Sequence, residues 1–287
     1  MTWEETIMHI RSNADYSELV KQAYFHEDLE MNVKAFRESN EFYQTMKLFD
    51  DKVKPGATIL DVGCGNGIAA LAFALNGFNV VAIDPDASET VGTGAVKKMQ
   101  AQFGLNNLEV RTVTAENLKL PPESFDVVYA RQSMHHANNL NKYVANCSTF
   151  LKSGGLFITV RDHVVYDKRD KQKFLKEHPL HKFYGGENAF MSSEYRTAFQ
   201  RAGLSILREI KFFDSEINFS PLTIESIESN IRREEHLIRN SLEKRLGTLG
   251  KSDIVFQLYK SIIFNPAQLR DEKYYSGRMY SYVCLKK

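Results

Sequence analysis

Several of the features that most quickly betray a function are scarce in this chain, and each shortage narrows the field. Cysteine is one: Cys64, Cys147 and Cys284 stand far apart and odd in number, so they frame neither a metal knuckle nor a disulfide scaffold. An excess of one charge is another. The 287 residues carry 37 Lys and Arg against 36 Asp and Glu, and a net charge of +1 sets up no global field to gather nucleic acid or an anionic membrane. No apolar run is long enough to cross a bilayer. The opening "MTWEETIMHIRSN" carries early acids and lacks the apolar core of a secretory signal, so a cytoplasmic protein is expected. There is no internal repeat and no low-complexity tract.

What is present is a change of texture at Pro55-Gly56. Before it, residues 15–55 place apolar side chains at helical spacing and predict helices. After it, short β-branched runs alternate with helical patterns: "TILDVG", "NVVAID", "LEVRTV", "FDVVYA" and "LFITVR" as strands, with helices at "GIAALAFALNG", "ASETVGTGAVKKMQAQFG" and "LNKYVANCSTFLKSGG" between them. An irregular basic stretch is expected from Asp162 to Phe190, then a helix at "SSEYRTAFQRAGL", a strand at "SILREIKFF", mostly helix over 221–272 and a closing strand at "MYSYVCLKK". The expected fold is α/β: a doubly wound, mostly parallel seven-stranded sheet with helices on both faces. Its parts are an N-terminal helical cap segment (1–55), a cofactor-binding α/β domain (56–220), a helical insertion forming a cap (221–272) and the last strand (273–287). The stripe of Ile224, Ile227, Ile231, Ile238, Leu242 and Leu246 in the insertion suits packing on the chain's own domain or, alternatively, a homodimer seam.

The loop "DVGCGNGIAA" ends the first strand and opens a helix. Glycines at 63, 65 and 67 permit positive φ and let a ligand touch bare backbone. A phosphate loop requires Lys-Ser/Thr after the glycines, where Ile68-Ala69 stand. A dinucleotide fingerprint requires glycine at the position Ile68 occupies, which weakens a nicotinamide site without removing it. Asp84 closes the second strand roughly twenty residues on, where a carboxylate accepts hydrogen bonds from ribose hydroxyls.

The aspartate followed by G-x-G-x-G resembles the first motif of class I S-adenosylmethionine-dependent methyltransferases. "VVAIDPD", "VTAENLKLPPESFDVVYA", "ARQSMHHA" and "LKSGGLFITV" resemble the family's later segments in the same order. The likeness covers residues 57 to about 160 and is nearest to the small-molecule group that includes ubiquinone/menaquinone-type enzymes. It implies S-adenosyl-L-methionine as cofactor. In that reading Asp61 orients the loop and favours a cation, and the carbonyl of Gly63 or Ala130 accepts from the cofactor's ammonium. Cys64 is a neutral contact, the amides near Gly65 take the carboxylate at a helix N-terminus, and Gly67 completes the loop. Asp84 and Pro85 flank the ribose, and Thr114, Ala115 and Glu116 meet the adenine, with Thr114 standing where the family often has an acid. Arg131 contacts cofactor or substrate, or else pairs with an acid.

Histidines are the candidate acid–base groups, since their pKa lies near working pH. His135 and His136 follow the fourth strand and His163 the fifth, all at the ligand edge of the sheet. Further on, "EHPLHKFYGGENAF" offers His181, Tyr184, Glu187 and Asn188 as an aromatic and polar substrate wall. His178 and His181 are separated by Pro179, and without C-x-x-C or H-E-x-x-H spacing no metal is expected. One or two of Tyr24, Phe25, Phe36, Phe42 and Tyr43 are expected to close over the cofactor. The expected activity is methyl transfer to a small-molecule acceptor such as a saccharide or natural product, at oxygen rather than nitrogen. No nucleic-acid partner is expected: the N/D-P-P-Y run of base-amino methylation is replaced by "ARQS". The alternatives are a nicotinamide-dependent oxidoreductase on the same sheet and a non-catalytic S-adenosylmethionine-binding module.

Overall fold

The structure is a computed structural model that describes residues 1–50 and 53–287. The chain divides into two compact units, residues 1–220 with 277–287, and residues 221–276. The first begins with helices α1 (Trp3–Ser12), α2 (Ser17–Gln22), α3 (Leu29–Arg37) and α4 (Asn40–Leu48). The alternating part runs β1 (Thr58–Val62), α5 (Ile68–Leu75), β2 (Asn79–Asp84), α6 (Thr93–Phe103), β3 (Leu108–Thr112), β4 (Phe125–Arg131), α7 (Leu140–Phe150) and β5 (Leu151–Val165). There follow α8 (Lys168–Glu177), α9 (His181–Tyr184), β6 (Phe190–Met191), α10 (Ser192–Arg201) and β7 (Leu204–Ile210). The second unit holds α11 (Ile224–Leu246) and α12 (Asp253–Ile262), and β8 (Met279–Lys286) returns to the first.

The main sheet has the order β3-β2-β1-β4-β5-β8-β7, with β6 paired to β5. β3, β2, β1, β4 and β5 are parallel, and β8 is antiparallel to both β5 and β7. The buried strands read as unbroken apolar runs because both faces are covered. α5 is buried all round from Ile68 to Ala74, as a helix apolar on every side must be. Phe73 of α5 meets Tyr129 of β4 edge-on at 5.0 Å and packs with Phe42, Phe49 and Phe78. Each such burial contributes about 1.5–3 kcal/mol. Strand order reverses between β1 and β4, so their carboxyl ends diverge and leave a crevice.

Four expectations need correcting. The stretch 15–55 is not evenly helical: it breaks at residues 23–28, where Tyr24 takes φ 57° and Asn32 bonds both backbone groups of His26. Its residues 51–52 lie outside the described part. α6 starts at Thr93 rather than Ala87, because Thr93 bonds back to the Asp86 carbonyl and Gly92 lies against that same carbonyl. α7 stops at Phe150, and Leu151–Gly155 join β5. Most consequentially, 162–190 is not irregular. β5 runs on to Val165 because Tyr280, Met279 and Phe190, remote in sequence, pair with Asp162, His163 and Val164. α8 follows, capped by Asp167, which accepts from the Arg169 and Asp170 amides.

In the second unit, Thr223 caps the 23-residue α11, Arg270 grips Glu228 through two nitrogens, and the Arg239 guanidinium lies 3.9 Å from the Phe256 ring centre. No helix among the described residues is long and apolar enough to cross a membrane.

Candidate functional site

The crevice opens into a cavity of about 480 Å³ lined by the ends of β1, β2, β4 and β5, by the N-terminal helices and by the segment around α9. One half is built from glycines and carboxylates. Gly63 and Gly65 take φ 73° and 53°. A Cβ on Gly63 would stand 2.1 Å from Ser133 Oγ, so only bare backbone fits there, while one on Gly65 would make ordinary contact with the Val91 carbonyl at 3.7 Å. Asp84 closes this half: its Oδ2 accepts from the Gly65 amide at 2.9 Å and its Oδ1 from the Asp86 amide at 2.9 Å. Burial raises its pKa against the pull of those amides.

Asp61 is buried at the floor. Neither carboxylate oxygen has a hydrogen-bond partner among the described residues. Burial first, then repulsion by Asp84, raises its pKa to about 7, opposed by the Arg131 charge and by the Ala70 amide, which lies nearby without meeting hydrogen-bond geometry. An orphaned buried carboxylate is costly unless a cation or donor arrives. The Thr114 hydroxyl, also on the wall, is likewise buried without a partner. Cys64 lines the cavity, but burial lifts its thiol far above the usual range, so it is an inert neutral contact.

The other half is rich in histidine. A bulge in β5 between Thr159 and Asp162, with Arg161 at φ 61°, turns the Asp162 carboxylate toward β4's end. There it accepts from Thr159 Oγ1 and from the His135 amide, and pairs with His135 Nδ1 at 3.0 Å. His135 Nε2 faces Glu187 Oε2 at 3.7 Å. Burial works against a charge on His135, but the hydrogen bond to Asp162 and the carboxylates of Asp162 and Glu187 prevail and raise its pKa to about 9. His136 turns Nδ1 to the Gly186 carbonyl at 3.1 Å and presents its ring to the cavity. Its ring is exposed to solvent, yet the protein packed around it and repulsion by His135 lower its pKa, so it is neutral near pH 7. His163 donates from Nδ1 to the Gly277 carbonyl at 2.6 Å, and burial and His135 hold its pKa well below the usual value. Glu187 accepts from the Tyr184 hydroxyl at 2.5 Å. Although burial opposes it, His135 Nε2 at 3.7 Å and the nearby His178 keep its carboxylate well below the ordinary range.

The structure therefore brings Asp61, Gly63, Cys64, Gly65, Asp84, Pro85, Thr114, Ala115, Glu116, Arg131, His135, His136, His163, Tyr184 and Glu187 to one cavity wall. Four expected residues are not on it. Gly67 is the left-handed N-cap of α5, and its missing Cβ makes room for Val96 of α6. Ala130 is wholly buried within β4. His181 points its Nδ1 into protein, and Asn188 bonds the Ala189 amide. Arg131 reaches the wall, but Glu41 of α4 holds its guanidinium through contacts of 2.6 and 3.1 Å, with Arg161 at 3.7 Å behind. That buried cluster ties the N-terminal helices to the sheet. Of the aromatics before β1, Phe25 lines the cavity, Phe36 and Phe42 are core, Tyr24 packs on Phe36 and Arg131, and Tyr43 is exposed. Trp3 and Leu19 on the wall carry no motif that marks them, and Asp162 and His178 gain their places only through the path of β5 and α8.

Bare main chain, a carboxylate one strand over and a deep crevice at a strand-order reversal define a nucleoside-binding domain of the doubly wound class. Residues 60–159 match the family model described as methyltransferase domain. A ubiquinone biosynthesis O-methyltransferase from a Bradyrhizobium species is 34% identical over 103 residues, 36% of this chain and 39% of the relative. The uncharacterized methyltransferase YcgJ of Bacillus subtilis is 30% identical over 150 residues, 46% of this chain and 55% of the relative. The YcgJ crystal structure has a TM-score of 0.54 to this one at 18% identity, covering 86% and 99% of the two chains. A geranyl diphosphate C-methyltransferase of Streptomyces coelicolor, solved with Mg2+, geranyl diphosphate and S-adenosyl-L-homocysteine, has a TM-score of 0.57 at 16% identity, covering 91% and 86%. The chain thus spans between 39% and 55% of the length of these two curated relatives. Residues 60–159 are thus similar to class I S-adenosylmethionine-dependent methyltransferase domains.

Proposed function

We propose that the whole chain is a methyltransferase that uses S-adenosylmethionine to methylate an oxygen of a small molecule, one combining an apolar body with hydroxyl groups, as saccharides and natural products do. The observation that carries this reading is the two-part cavity: a glycine-and-carboxylate half continuous with a histidine half. Bound in the first half, the cofactor supplies a methyl group already activated on a sulfonium. The chain's own residues do the rest. Asp84 accepts from the two ribose hydroxyls, the orphaned Asp61 carboxylate favours the positive end of the ligand, and the Thr114 hydroxyl serves the base. Trp3, Leu19, Phe25 and Leu180 form apolar wall that sheds water and seats the acceptor's body. Alignment of this kind supplies about 7–11 kcal/mol of barrier lowering. His136, its Nδ1 anchored on Gly186, offers Nε2 as acceptor for the hydroxyl proton. His135 is locked between Asp162 and Glu187 and is a positioning group.

The test is incubation with methyl-labelled S-adenosylmethionine and a panel of hydroxylated aromatics, terpenoids and sugars. Label moving to oxygen of at least one acceptor supports the reading. Cofactor binding with no acceptor labelled supports a binding module instead.

A further inference from the structure

We propose that His135, His163 and Glu187 bind a divalent transition-metal ion in the acceptor half of the cavity. The ligand atoms of these three residues lie within 4.8 Å of one another, and all three side chains are buried while lining the cavity. An ion among them is therefore shielded by protein on one side and open to a ligand on the other, the layout of a site with vacant coordination positions.

The outer partners make the stronger case. A ligating histidine ordinarily donates its second ring nitrogen to a carboxylate or carbonyl, which sets the tautomer and aims the first. His135 gives Nδ1 to Asp162 at 3.0 Å, which directs Nε2 at Glu187 Oε2, 3.7 Å away. His163 gives Nδ1 to the Gly277 carbonyl at 2.6 Å, which leaves Nε2 as its lone-pair nitrogen. Glu187 is fixed in the same sense: Oε1 accepts from Tyr184 at 2.5 Å and lies 3.8 Å from His178 Nδ1, and Oε2 is the oxygen turned to His135. Three donors from three separate segments thus each have their other polar atom satisfied. A simple buried ion pair of His135 with its two acids would not call for the third ring, whose centre stands 4.8 Å from that of His135.

The donors also specify the ion. Two imidazoles and one carboxylate suit zinc, cobalt, iron or manganese, whereas magnesium and calcium take oxygen sets. Metal–nitrogen bonds of about 2.0–2.1 Å require the three side chains to close inward by roughly an ångström, and the ion takes the place of the His135 Nε2 proton. The open positions face the acceptor, so the acceptor class narrows to molecules whose oxygen ligates a metal. That last step rests on the methyltransferase reading; the metal site does not.

The experiment titrates the purified, metal-stripped full chain with Co(II), followed by visible absorption, and with Zn(II), followed by equilibrium dialysis. S-adenosyl-L-homocysteine affinity is measured by calorimetry on the same samples. The expected result is one ion per chain. Glu187→Gln and His163→Ala are expected to abolish stoichiometric uptake, and Tyr184→Phe to weaken it about 10–100-fold, with S-adenosyl-L-homocysteine affinity unchanged in all three. Retained nucleoside affinity shows that a variant has folded, and the near-isosteric Glu187→Gln keeps the test valid if His163→Ala does not fold. Absence of uptake by the unmutated chain, or uptake undiminished in Glu187→Gln, overturns the site. Metal uptake without any S-adenosyl-L-homocysteine binding leaves the site standing and overturns the methyltransferase reading.

Discussion

The two halves of the cavity are made in opposite ways. The glycine half comes from residues 61–65 and 84, at the ends of adjacent parallel strands whose register pairs Val62 with Ile83. It leaves buried polar atoms unmatched: both oxygens of Asp61 and the Thr114 hydroxyl. The histidine half draws on the end of β4, the bulged end of β5, the α9 segment and Gly277, and His135, His163 and Glu187 each have at least one polar atom matched within the protein. On the proposed function, the first half completes its hydrogen bonds on the cofactor and the second positions the acceptor.

Substitutions that separate the halves sharpen the contrast. The largest effect is expected for Asp84→Ala, which removes charge-assisted hydrogen bonds worth about 1.5–3 kcal/mol each; calorimetry should show S-adenosyl-L-homocysteine affinity falling by that amount per ribose hydroxyl. His136→Ala should slow turnover about 10²–10⁴-fold and spare that affinity, a kcat effect readable once an acceptor is known; an unchanged rate removes His136 from the chemistry. Asp61→Asn should move stability and binding in opposite directions. The Asp61 pKa is raised in the fold to about 7, so the folded chain holds a proton that the unfolded chain releases. Stability therefore falls as pH rises from the unfolded value through about 7, by on the order of 4 kcal/mol at most. Thermal melts without cofactor should show the Asn variant gaining over the unmutated chain near pH 8 and losing that gain toward pH 4, while binding the cofactor's by-product more weakly. The smallest effect is expected for Thr114→Val, about 0.5–1.5 kcal/mol in nucleoside affinity with no change in kcat.

The same contrast governs what can be read from the chain alone. The strand runs from Thr58 to Arg131 are legible because fully covered parallel strands are continuous and β-branched, and the loop at 63–67 because glycine at close spacing has few structural uses. Gly67 illustrates the limit: the motif marks it, but whether it faces a ligand or a neighbouring helix depends on where Val96 lies. The histidine half is less legible because its geometry rests on pairings distant in sequence. His163 falls within a strand only because Met279 pairs with it, and α8 is so charged, with Phe174 its one buried side chain, that it offers too few apolar residues to mark it as a helix. Arg131 could be read as a cofactor contact or one half of an ion pair; Glu41, ninety residues earlier, supplies the pair, while Arg131 also lines the cavity.

The most direct measurement is calorimetric titration of the purified chain with S-adenosyl-L-homocysteine beside NADH and NADPH. The expected result is one S-adenosyl-L-homocysteine bound per chain, lost in Asp84→Ala, and no saturable heat from either nicotinamide nucleotide. Saturable NADH or NADPH binding with none for S-adenosyl-L-homocysteine would contradict it.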